Sequence, residues 1–163
     1  MFYVNARAII ERVNDGHIEI VMQNRVKPNE SLTIELPGGR IELYESLIHA
    51  LRREVKEETG LDVTEIEGED LRIVTEGTHF NVECVRPFAA FQTVKGPVDS
   101  LGYYFRCKAE GELLIAGDQT TGIRWMNVQD VSDLLDEEPQ QFSEIDRAGI
   151  VYYLNQMRSE LNG

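Results

Sequence analysis

The sequence has 163 residues, 42% of them hydrophobic, and its 29 acidic and 16 basic side chains give a net charge of −13. A chain of this length buries roughly 70% of its unfolded surface, so we expect a single domain over residues 1–163. The acidic surface argues against nucleic-acid binding, which depends on neutralising phosphates. A phosphorylated ligand would need positive charge at its own site, such as a divalent cation held by carboxylates.

Residues 1–12 lack the basic and apolar regions of a signal peptide, and no apolar stretch is long enough to span a membrane. Cys84 and Cys107 lie far apart in apolar, strand-like segments without C-x-x-C spacing. We expect both to be small buried thiols. Together these features predict a cytoplasmic protein.

Alternating and turn-forming residues predict a sheet interrupted by helices. Strands are expected at Tyr3–Arg12 and His17–Asn24, joined by a hairpin turn at Asn14-Asp15-Gly16, and at Leu32–Leu36 before Pro37-Gly38-Gly39. After a helix at Ser46–Thr59, the remaining expected elements are strands at Leu71–Thr78, Val82–Val94, Leu101–Ala109 and Ile123–Asn127, a turn at Lys95–Ser100, and helices at Asp130–Leu135 and Ser143–Leu161. This order predicts an α/β fold, a mixed sheet with helices on both faces.

The segment Ser46–Thr59 is predicted to be amphipathic, with Ser46 as the N-cap and Gly60 at the C-terminal cap. At about 100° per residue the apolar stripe consists of Leu47, Ile48, Leu51 and Val55, and the solvent face of His49, Arg52 and Lys56.

Three glutamates on this helix do not fit an ordinary amphipathic pattern. Glu54 and Glu58 continue the row of Leu47 and Leu51, so they lean toward the buried side, and Glu57 lies on the same flank. Carboxylates one turn apart repel each other, and burying one without a partner is costly. One interpretation is a solvated helix with pairs such as Arg53 to Glu57. The other is a Mg²⁺ site, in which Arg53 orients Glu57.

The residues around these glutamates form a longer pattern, Gly39-x5-Glu45-x7-Arg53-Glu54-Val55-x-Glu57-Glu58-x-Gly60-Leu61. This pattern resembles the Nudix box at every defining position. The resemblance implies an α/β/α sandwich around a mixed β-sheet. It also implies a Mg²⁺-dependent hydrolase, with Mn²⁺ as a substitute, that cleaves a phosphoanhydride bond in a nucleoside diphosphate linked to another moiety.

The resemblance assigns a role to each box position. Glu54, Glu57 and Glu58 would supply metal oxygens, together with the Gly38 carbonyl. We take Glu54 as the base that activates water, with Glu57 and Arg53 in the same catalytic group. The structural positions are Gly39, which allows a sharp turn, Glu45, which would hold the loop and helix together near the positive end of the helix dipole, and Gly60, which ends the helix.

Outside the box the candidates are fewer and alternatives stay open. Family members often take a further metal ligand or base from a loop before the last strand. In this chain that loop contains Glu112, Asp118 and Gln119, of which Asp118 is the best candidate. The alternative is that Asp118 is a solvated loop residue. Arg25 follows the second strand and would contact a phosphate or base, unless it is a surface arginine. Trp125 could stack on a base, although core packing suits its apolar strand better.

The identity of the substrate is the property that the sequence determines least. The proline typical of ADP-ribose hydrolases is absent, since that stretch reads Glu76-Gly77-Thr78. The chain therefore resembles the broad group of family members that act on (deoxy)nucleoside triphosphates, including oxidised ones, or on nucleotide sugars. The product would be a nucleoside monophosphate. A catalytically silent Nudix-fold domain that senses nucleotides or mediates interactions is the alternative, although such domains usually lose box carboxylates. Family precedent suggests a homodimer.

Overall fold

The computed structural model describes residues 2–162. The strands are β1 Phe2–Asn14, β2 His17–Arg25, β3 Thr33–Glu35, β4 Gly38–Arg40, β5 Asp62–Ile66, β6 Ile73–Glu76, β7 Asn81–Cys84, β8 Ala89–Gln92, β9 Asp99–Glu110, β10 Ala116–Gly117 and β11 Thr120–Asn127. The helices are α1 Leu47–Thr59, α2 Val128–Glu137 and α3 Glu144–Asn162, with short 3-10 turns at Glu69–Leu71 and Pro139–Gln141.

Nine strands form one mixed sheet in the order β10-β11-β2-β1-β9-β5, with β3 beside β2, β4 beside β1 and β8 beside β9. The pairing of β1 with β9 is parallel and runs from Phe2 opposite Asp99 to Ile10 opposite Cys107, whereas the other pairs in this sheet are antiparallel. Strands β6 and β7 form a separate hairpin. The expected mixed sheet is confirmed.

The two faces of the sheet are covered by different helices, because alternate residues of each strand point to opposite sides. On one face, Ala8 and Val21 pack with Leu51 and Val55 of α1. On the other face, Ile9 and Met22 belong to a second cluster with residues of α2 and α3, including Val131, Ile150, Tyr153 and Leu154. The molecule is therefore an α/β/α sandwich, as the resemblance implied.

Both predicted caps of α1 are confirmed. The Ser46 hydroxyl accepts a hydrogen bond from the His49 amide at 3.0 Å. Gly60 has φ +83°, a left-handed conformation, and its amide donates to the Lys56 carbonyl. The helix that carries the box glutamates is thus fixed at both ends.

Several expected elements differ from the observed ones. The strand expected over Val82–Val94 is wrong as a single element, because β7 and β8 belong to different sheets and are separated around Pro87, which cannot donate to a ladder. Strand β5 was not expected, since its sequence Asp62-Val-Thr-Glu-Ile carries two acidic residues. The turn expected at Lys95–Ser100 is shorter, because β9 already begins at Asp99.

The expectation that both cysteines are buried is wrong for Cys84. Cys107 is buried, whereas Cys84 is exposed on the β6–β7 hairpin, whose apolar residues do not face the core. In residues 2–162 no helix is long and apolar enough to cross a membrane.

Candidate active site

A cavity of about 520 Å³ opens where β1 and β2 diverge. These strands pair with each other at Glu11–Asn14, but toward the other end β1 pairs with β4 and β2 pairs with β3. Strands β3 and β4 therefore fill the gap between them. Their connection, Leu36-Pro37, brings the glycines of the box to the cavity wall beside α1.

Glu54 faces this cavity and packs tightly on β4. A side-chain carbon placed on Gly39 would lie 2.6 Å from the Glu54 carboxyl carbon, so only glycine allows this approach. One Glu54 oxygen accepts from Arg53 Nη1 at 2.8 Å. Burial raises the pKa of Glu54 above its ordinary value, and the nearby Arg53 opposes the rise.

Glu58 lies one turn further along α1 and is buried more deeply, with 8% of its surface exposed. Burial raises its pKa to about 8, although a hydrogen bond from Gln23 acts in the opposite direction. The Gln23 amide nitrogen donates to both Glu58 and Glu35, the latter at 3.2 Å. The side chains of Gln23, Glu35 and Glu58 thus meet beside the cavity. Burial also raises the pKa of Glu35 above its ordinary value.

Glu57 does not line the cavity. Its carboxylate turns outward to Arg53 Nη1 at 3.3 Å, and 47% of its side chain is exposed. Arg53 also binds both oxygens of Glu45, at 2.7 and 2.8 Å. The hydrogen bonds from Arg53 lower the pKa of Glu45 to about 2, so this pair stays ionised and ties the loop before α1 to the helix.

The loop before β11 wraps around the end of α1 and delivers Asp118 to the same cavity. The Asp118 amide donates to the Glu57 carbonyl at 3.4 Å, and the Thr120 hydroxyl donates to the Glu58 carbonyl at 3.2 Å. The glycine at position 117 fits directly against the Glu58 backbone. These contacts place Asp118 on the wall of the cavity that Glu54 and Glu58 also line.

A buried ion pair supports the cavity from the opposite face of the sheet. Asp146, in the first turn of α3 and fully buried, accepts from Arg7 Nη2 at 3.0 Å, the Leu36 amide at 3.0 Å and the Tyr104 hydroxyl at 2.8 Å, and its Oδ1 lies 2.9 Å from Arg7 Nε. Arg7 also donates to the Leu36 carbonyl at 2.6 Å and lies 3.5 Å from Glu35. Burial would lower the pKa of Arg7, but Asp146 and Glu35 raise it, so Arg7 remains charged.

Basic side chains also line the cavity. Arg25, Lys27 and Arg40 contribute to its wall, and Arg25 and Lys27 continue into an adjoining cavity of about 500 Å³ that also contains Lys95. Arg25 lies 3.8 Å from Glu35, and the Arg40 guanidinium is 3.4 Å from the centre of the Tyr3 ring. A strongly acidic chain therefore concentrates positive charge beside a group of carboxylates, an arrangement suited to an anionic ligand.

The structure brings most of the predicted site residues together. Gly38, Gly39, Glu54, Glu58, Asp118 and Arg25 line one cavity. Outside its lining are Glu57, Glu45, Arg53 and Gly60, of which the first three form the Arg53 network. Trp125 is half-buried against the α1-side core, with Arg12 4.2 Å from its ring centre, as expected for a packing residue.

Sequence reasoning missed the residues beneath and opposite the glutamates. Arg7, Gln23 and Glu35 are buried polar side chains in strands that otherwise supply core residues. The sequence does contain a local indication of these residues. Arg7 interrupts an apolar run from Ala6 to Ile10, and Gln23 follows three apolar residues. A charged or amide side chain at an inward position marks either a polar network or a site.

The donor atoms suit a hard divalent cation. The cavity wall includes the carboxylates of Glu54, Glu58 and Asp118, the amide of Gln119 and the backbone of Gly38. Mg²⁺ prefers such oxygen ligands. In residues 2–162 no group of three or more His, Cys, Asp or Glu side chains converges into a ready-made metal site. Glu57, the fourth predicted carboxylate ligand, is turned outward to Arg53 at 3.3 Å.

A larger cavity, of about 620 Å³, lies elsewhere between β5 and β9 and carries no box residue. Its wall includes Glu65, Glu67 and Glu69 opposite Arg106 and Lys108. These charges are already paired in part, for example Lys108 with Glu65 at 3.4 Å. The glutamate cavity is therefore the better candidate for chemistry.

Comparison with solved structures gives the same fold. The E. coli ORF135 protein aligns with a TM-score of 0.67 and 19% identity, covering 97% of this chain and 92% of that one. The NUDIX domain of Shewanella oneidensis NrtR, solved in complex with ADP ribose, aligns with a TM-score of 0.66 and 16% identity. This match covers 99% of this chain and 89% of that one. A MutT/nudix family protein from Enterococcus faecalis aligns with a TM-score of 0.59 and 19% identity. This match covers 78% of this chain but only 44% of that one.

Sequence comparison identifies the family. No curated protein shows significant sequence similarity to the chain. The family model described as NUDIX domain, however, matches residues 2–147, which include the box, the cavity and Asp146. The chain therefore belongs to the NUDIX domain family, the family of the Nudix pyrophosphohydrolases.

Proposed function

We propose that the protein hydrolyses a phosphoanhydride bond in a nucleoside diphosphate linked to another moiety and releases a nucleoside monophosphate, with Mg²⁺ as cofactor and Mn²⁺ as a substitute. The proposed substrate is a (deoxy)nucleoside triphosphate, including oxidised ones, or a nucleotide sugar. The observation that carries the proposal is one cavity whose wall includes Glu54 and Glu58 together with Arg25, Lys27 and Arg40.

The proposed ligands of the cation are Glu54, Glu57, Glu58, Asp118 and the Gly38 carbonyl. When bound, Mg²⁺ would neutralise the negative charge that builds on the phosphoryl oxygens during hydrolysis. The contact of Glu57 with Arg53, at 3.3 Å, is longer than the usual hydrogen bond, so Glu57 can turn from Arg53 toward the cavity at little cost. Glu58, whose burial disfavours the charged form, would gain a counter-charge in addition to that of Arg7.

Glu54 is the proposed base that accepts the proton of the attacking water. Its burial raises its pKa, which makes the carboxylate a better proton acceptor than an exposed glutamate. Arg53 is a positioning residue, because its hydrogen bond of 2.8 Å holds one oxygen of Glu54 in place. The ion pair with Glu45 in turn holds the Arg53 side chain. Gly39 allows Glu54 to sit against β4.

Arg25 is the proposed contact for a phosphate, with Lys27 and Arg40 beside it. Their positive charge would balance the phosphates that are not in contact with the cation. The adjoining cavity gives room for the part of the substrate beyond the anhydride.

The alternative is a domain that binds a nucleotide without cleaving it. A relative solved with ADP ribose is described as a NUDIX domain of NrtR. The complete set of box carboxylates in this chain supports hydrolysis instead. Binding and turnover measured on one nucleotide separate these functions, because a sensor would bind it and release no product.

The decisive experiment is a panel of nucleotides incubated with Mg²⁺, with products resolved by chromatography. The panel holds nucleoside triphosphates, oxidised triphosphates, nucleotide sugars and ADP-ribose, with monophosphates as negative controls. Because a monophosphate has no anhydride, we expect it to be inert. Reactions in ¹⁸O-water would identify the attacked phosphorus, since one product carries the label.

Glu54→Gln keeps the shape of the side chain and removes its charge, so kcat should fall by about 10²- to 10⁴-fold with the fold intact. Glu65→Gln is the matched control, because Glu65 is 70% exposed and pairs only at the surface with Lys108. Phosphate release from a monophosphate with no anhydride cleavage in the panel would make the protein a phosphatase. Normal kcat in Glu54→Gln would remove Glu54 from the mechanism.

A further inference from the structure

Gln23 is an amide side chain buried in a part of the sheet that otherwise supplies apolar residues. It is 0% exposed, and Val21, two residues earlier and therefore on the same face of β2, packs in the core beneath α1. The Gln23 Oε1 atom has no hydrogen-bond partner among residues 2–162. Because a buried polar atom without a partner is destabilising, packing alone does not explain an amide at this position.

The Gln23 amide nitrogen connects two buried carboxyl groups. It donates to Glu58 Oε2 on α1 and, at 3.2 Å, to Glu35 Oε1 on β3. Glu35 lies directly opposite Gln23 on the paired strand, so the two side chains share a face of the sheet. Arg7, whose Nη2 atom lies 3.5 Å from Glu35 Oε2, holds Glu35 in turn. The amide is therefore anchored on the sheet and reaches from there to the helix.

This hydrogen bond determines how Glu58 presents its two oxygens. The terminal torsion of a glutamate side chain has broad, roughly two-fold preferences, so a carboxylate without a partner can turn between several orientations. Because Gln23 engages Oε2, Oε1 is the oxygen that remains for a ligand in the cavity, whose wall Glu58 helps to form. Mg²⁺ requires nearly ideal octahedral geometry, so the orientation of each ligand affects how tightly the ion binds.

A neutral donor has an advantage over a charged one beside a ligand of a cation. A lysine or arginine at position 23 would also orient Glu58, but its positive charge would repel a divalent cation bound to the same carboxylate. An apolar side chain would leave the charge of Glu58 intact and would not orient it. The glutamine amide orients the carboxylate and leaves its negative charge for the cation.

We propose that Gln23 is a positioning residue of the cation site, because its hydrogen bond to Oε2 of Glu58 presents Oε1 to Mg²⁺. The inference rests on the proposed function, in which Glu58 is a ligand of the cation. Gln23 is not part of the cavity wall, so it acts through Glu58 and touches neither the cation nor the substrate. Partners of this kind contribute to metal affinity although they do not bind the metal themselves.

Mn²⁺ binding to the full chain without nucleotide tests the proposal, with free Mn²⁺ measured by its electron paramagnetic resonance signal. Gln23→Met keeps the length of the side chain, suits an apolar core and removes both donor hydrogens. We expect it to raise the dissociation constant of Mn²⁺ by about 10- to 100-fold. Gln129→Met is the matched control and should leave the constant unchanged. The Gln129 amide also donates to a carboxylate, Asp133 Oδ1 at 2.9 Å, but it lies exposed on α2.

Two further measurements separate positioning from a general effect on the fold. Gln23→Asn keeps an amide at the position but is shorter by one methylene group, so its nitrogen no longer reaches Glu58, and Mn²⁺ binding should weaken as in Gln23→Met. A double-mutant cycle shows whether Gln23 acts through Glu58. In a Glu58→Gln background, Gln23→Met should change the dissociation constant of Mn²⁺ by less than about twofold, whereas independent effects would simply add in free energy.

Mn²⁺ binding as tight as in the wild type in both Gln23 variants overturns the positioning role and leaves the proposed hydrolysis intact. An equal effect of Gln23→Met with and without Glu58→Gln also overturns it, because Gln23 would then act elsewhere. A wild-type protein that binds no Mn²⁺ and cleaves no nucleotide would instead overturn the proposed function, and this inference with it.

Discussion

Glu58 is a carboxyl group in a position where its charge is costly. It is 8% exposed, and the hydrogen bond from Gln23 only partly opposes the effect of burial. In the metal-free protein it keeps its proton up to a pH of about 8, whereas the unfolded chain releases it near 4.5. Folding and proton binding are therefore linked at this residue.

The linkage predicts how stability changes with pH. Between pH 4.5 and about 8 the folded protein holds a proton that the unfolded chain has lost, so the contribution of Glu58 is fully present below pH 4.5 and is lost as the pH rises to about 8. In EDTA, Glu58→Gln should remove this part of the decline. Urea unfolding at several pH values checks it, and equal slopes in both proteins would contradict it.

The box glutamates could be predicted because their spacing conflicts with the amphipathic pattern of α1. Glu54 and Glu58 continue an apolar row, and this conflict is visible in the sequence alone. The outward turn of Glu57 could not be predicted, because it depends on the position of Arg53, which Glu45 sets from outside the helix. Nor could the sequence show that Gln23 lies against Glu58, thirty-five residues away.

At the scale of elements, the Asp146 side chain connects α3 to the strands that support the active site. Asp146 receives hydrogen bonds from β1, from Leu36 beside the box glycines, and from β9 through Tyr104. One carboxylate thus joins three parts of the fold, and it does so without exposure to solvent.

Removing the charge of Asp146 should therefore be severe. We expect Asp146→Asn to lower the free energy of unfolding by about 3–5 kcal/mol, because Arg7 would be left buried without its partner. Glu144→Gln, two residues earlier, is the control: its carboxylate is 89% exposed, and its loss should change stability by less than about 0.5 kcal/mol. Urea unfolding measures both. A small effect for Asp146→Asn would show that Arg7 finds another partner.

Elements were predicted best where the periodicity was strong. The helix around Leu51 and the hairpin at Asp15-Gly16 agree with their patterns, because local sequence determines both. Strand β5 follows α1 immediately and pairs with β9, more than forty residues later, so tertiary contacts override its acidic composition. The break at Pro87 was visible, but the assignment of β7 and β8 to different sheets was not.

At the scale of the whole molecule, the net charge and the proposed cation requirement act together. Bringing a polyphosphate to a chain of charge −13 is unfavourable, and a bound divalent cation reduces the repulsion at the point of contact. The proposed cation site exists only in the folded protein, since it joins α1, β4 and the loop before β11.

A ligand that binds only the folded state stabilises it, by about 2.7 kcal/mol at a hundredfold excess over its Kd. We therefore expect Mg²⁺ to raise the melting temperature and EDTA to abolish turnover, with activity restored by Mg²⁺ or Mn²⁺. A Glu54→Gln, Glu58→Gln double variant should show no such rise in melting temperature. Full activity in EDTA would contradict the requirement for a metal.

The parallel pairing of β1 with β9 also determines when the molecule can assemble. Phe2–Ile10 can pair with Asp99–Cys107 only after the 88 residues between the two segments, 11–98, have been synthesised. During translation β1 must wait with one edge unpaired, although β2 and the box helix have already left the ribosome. Such long-range pairing slows folding, and an unpaired central strand is open to association with other chains. The step that completes the active-site scaffold is thus the slow, late step of folding, and the one at which aggregation competes.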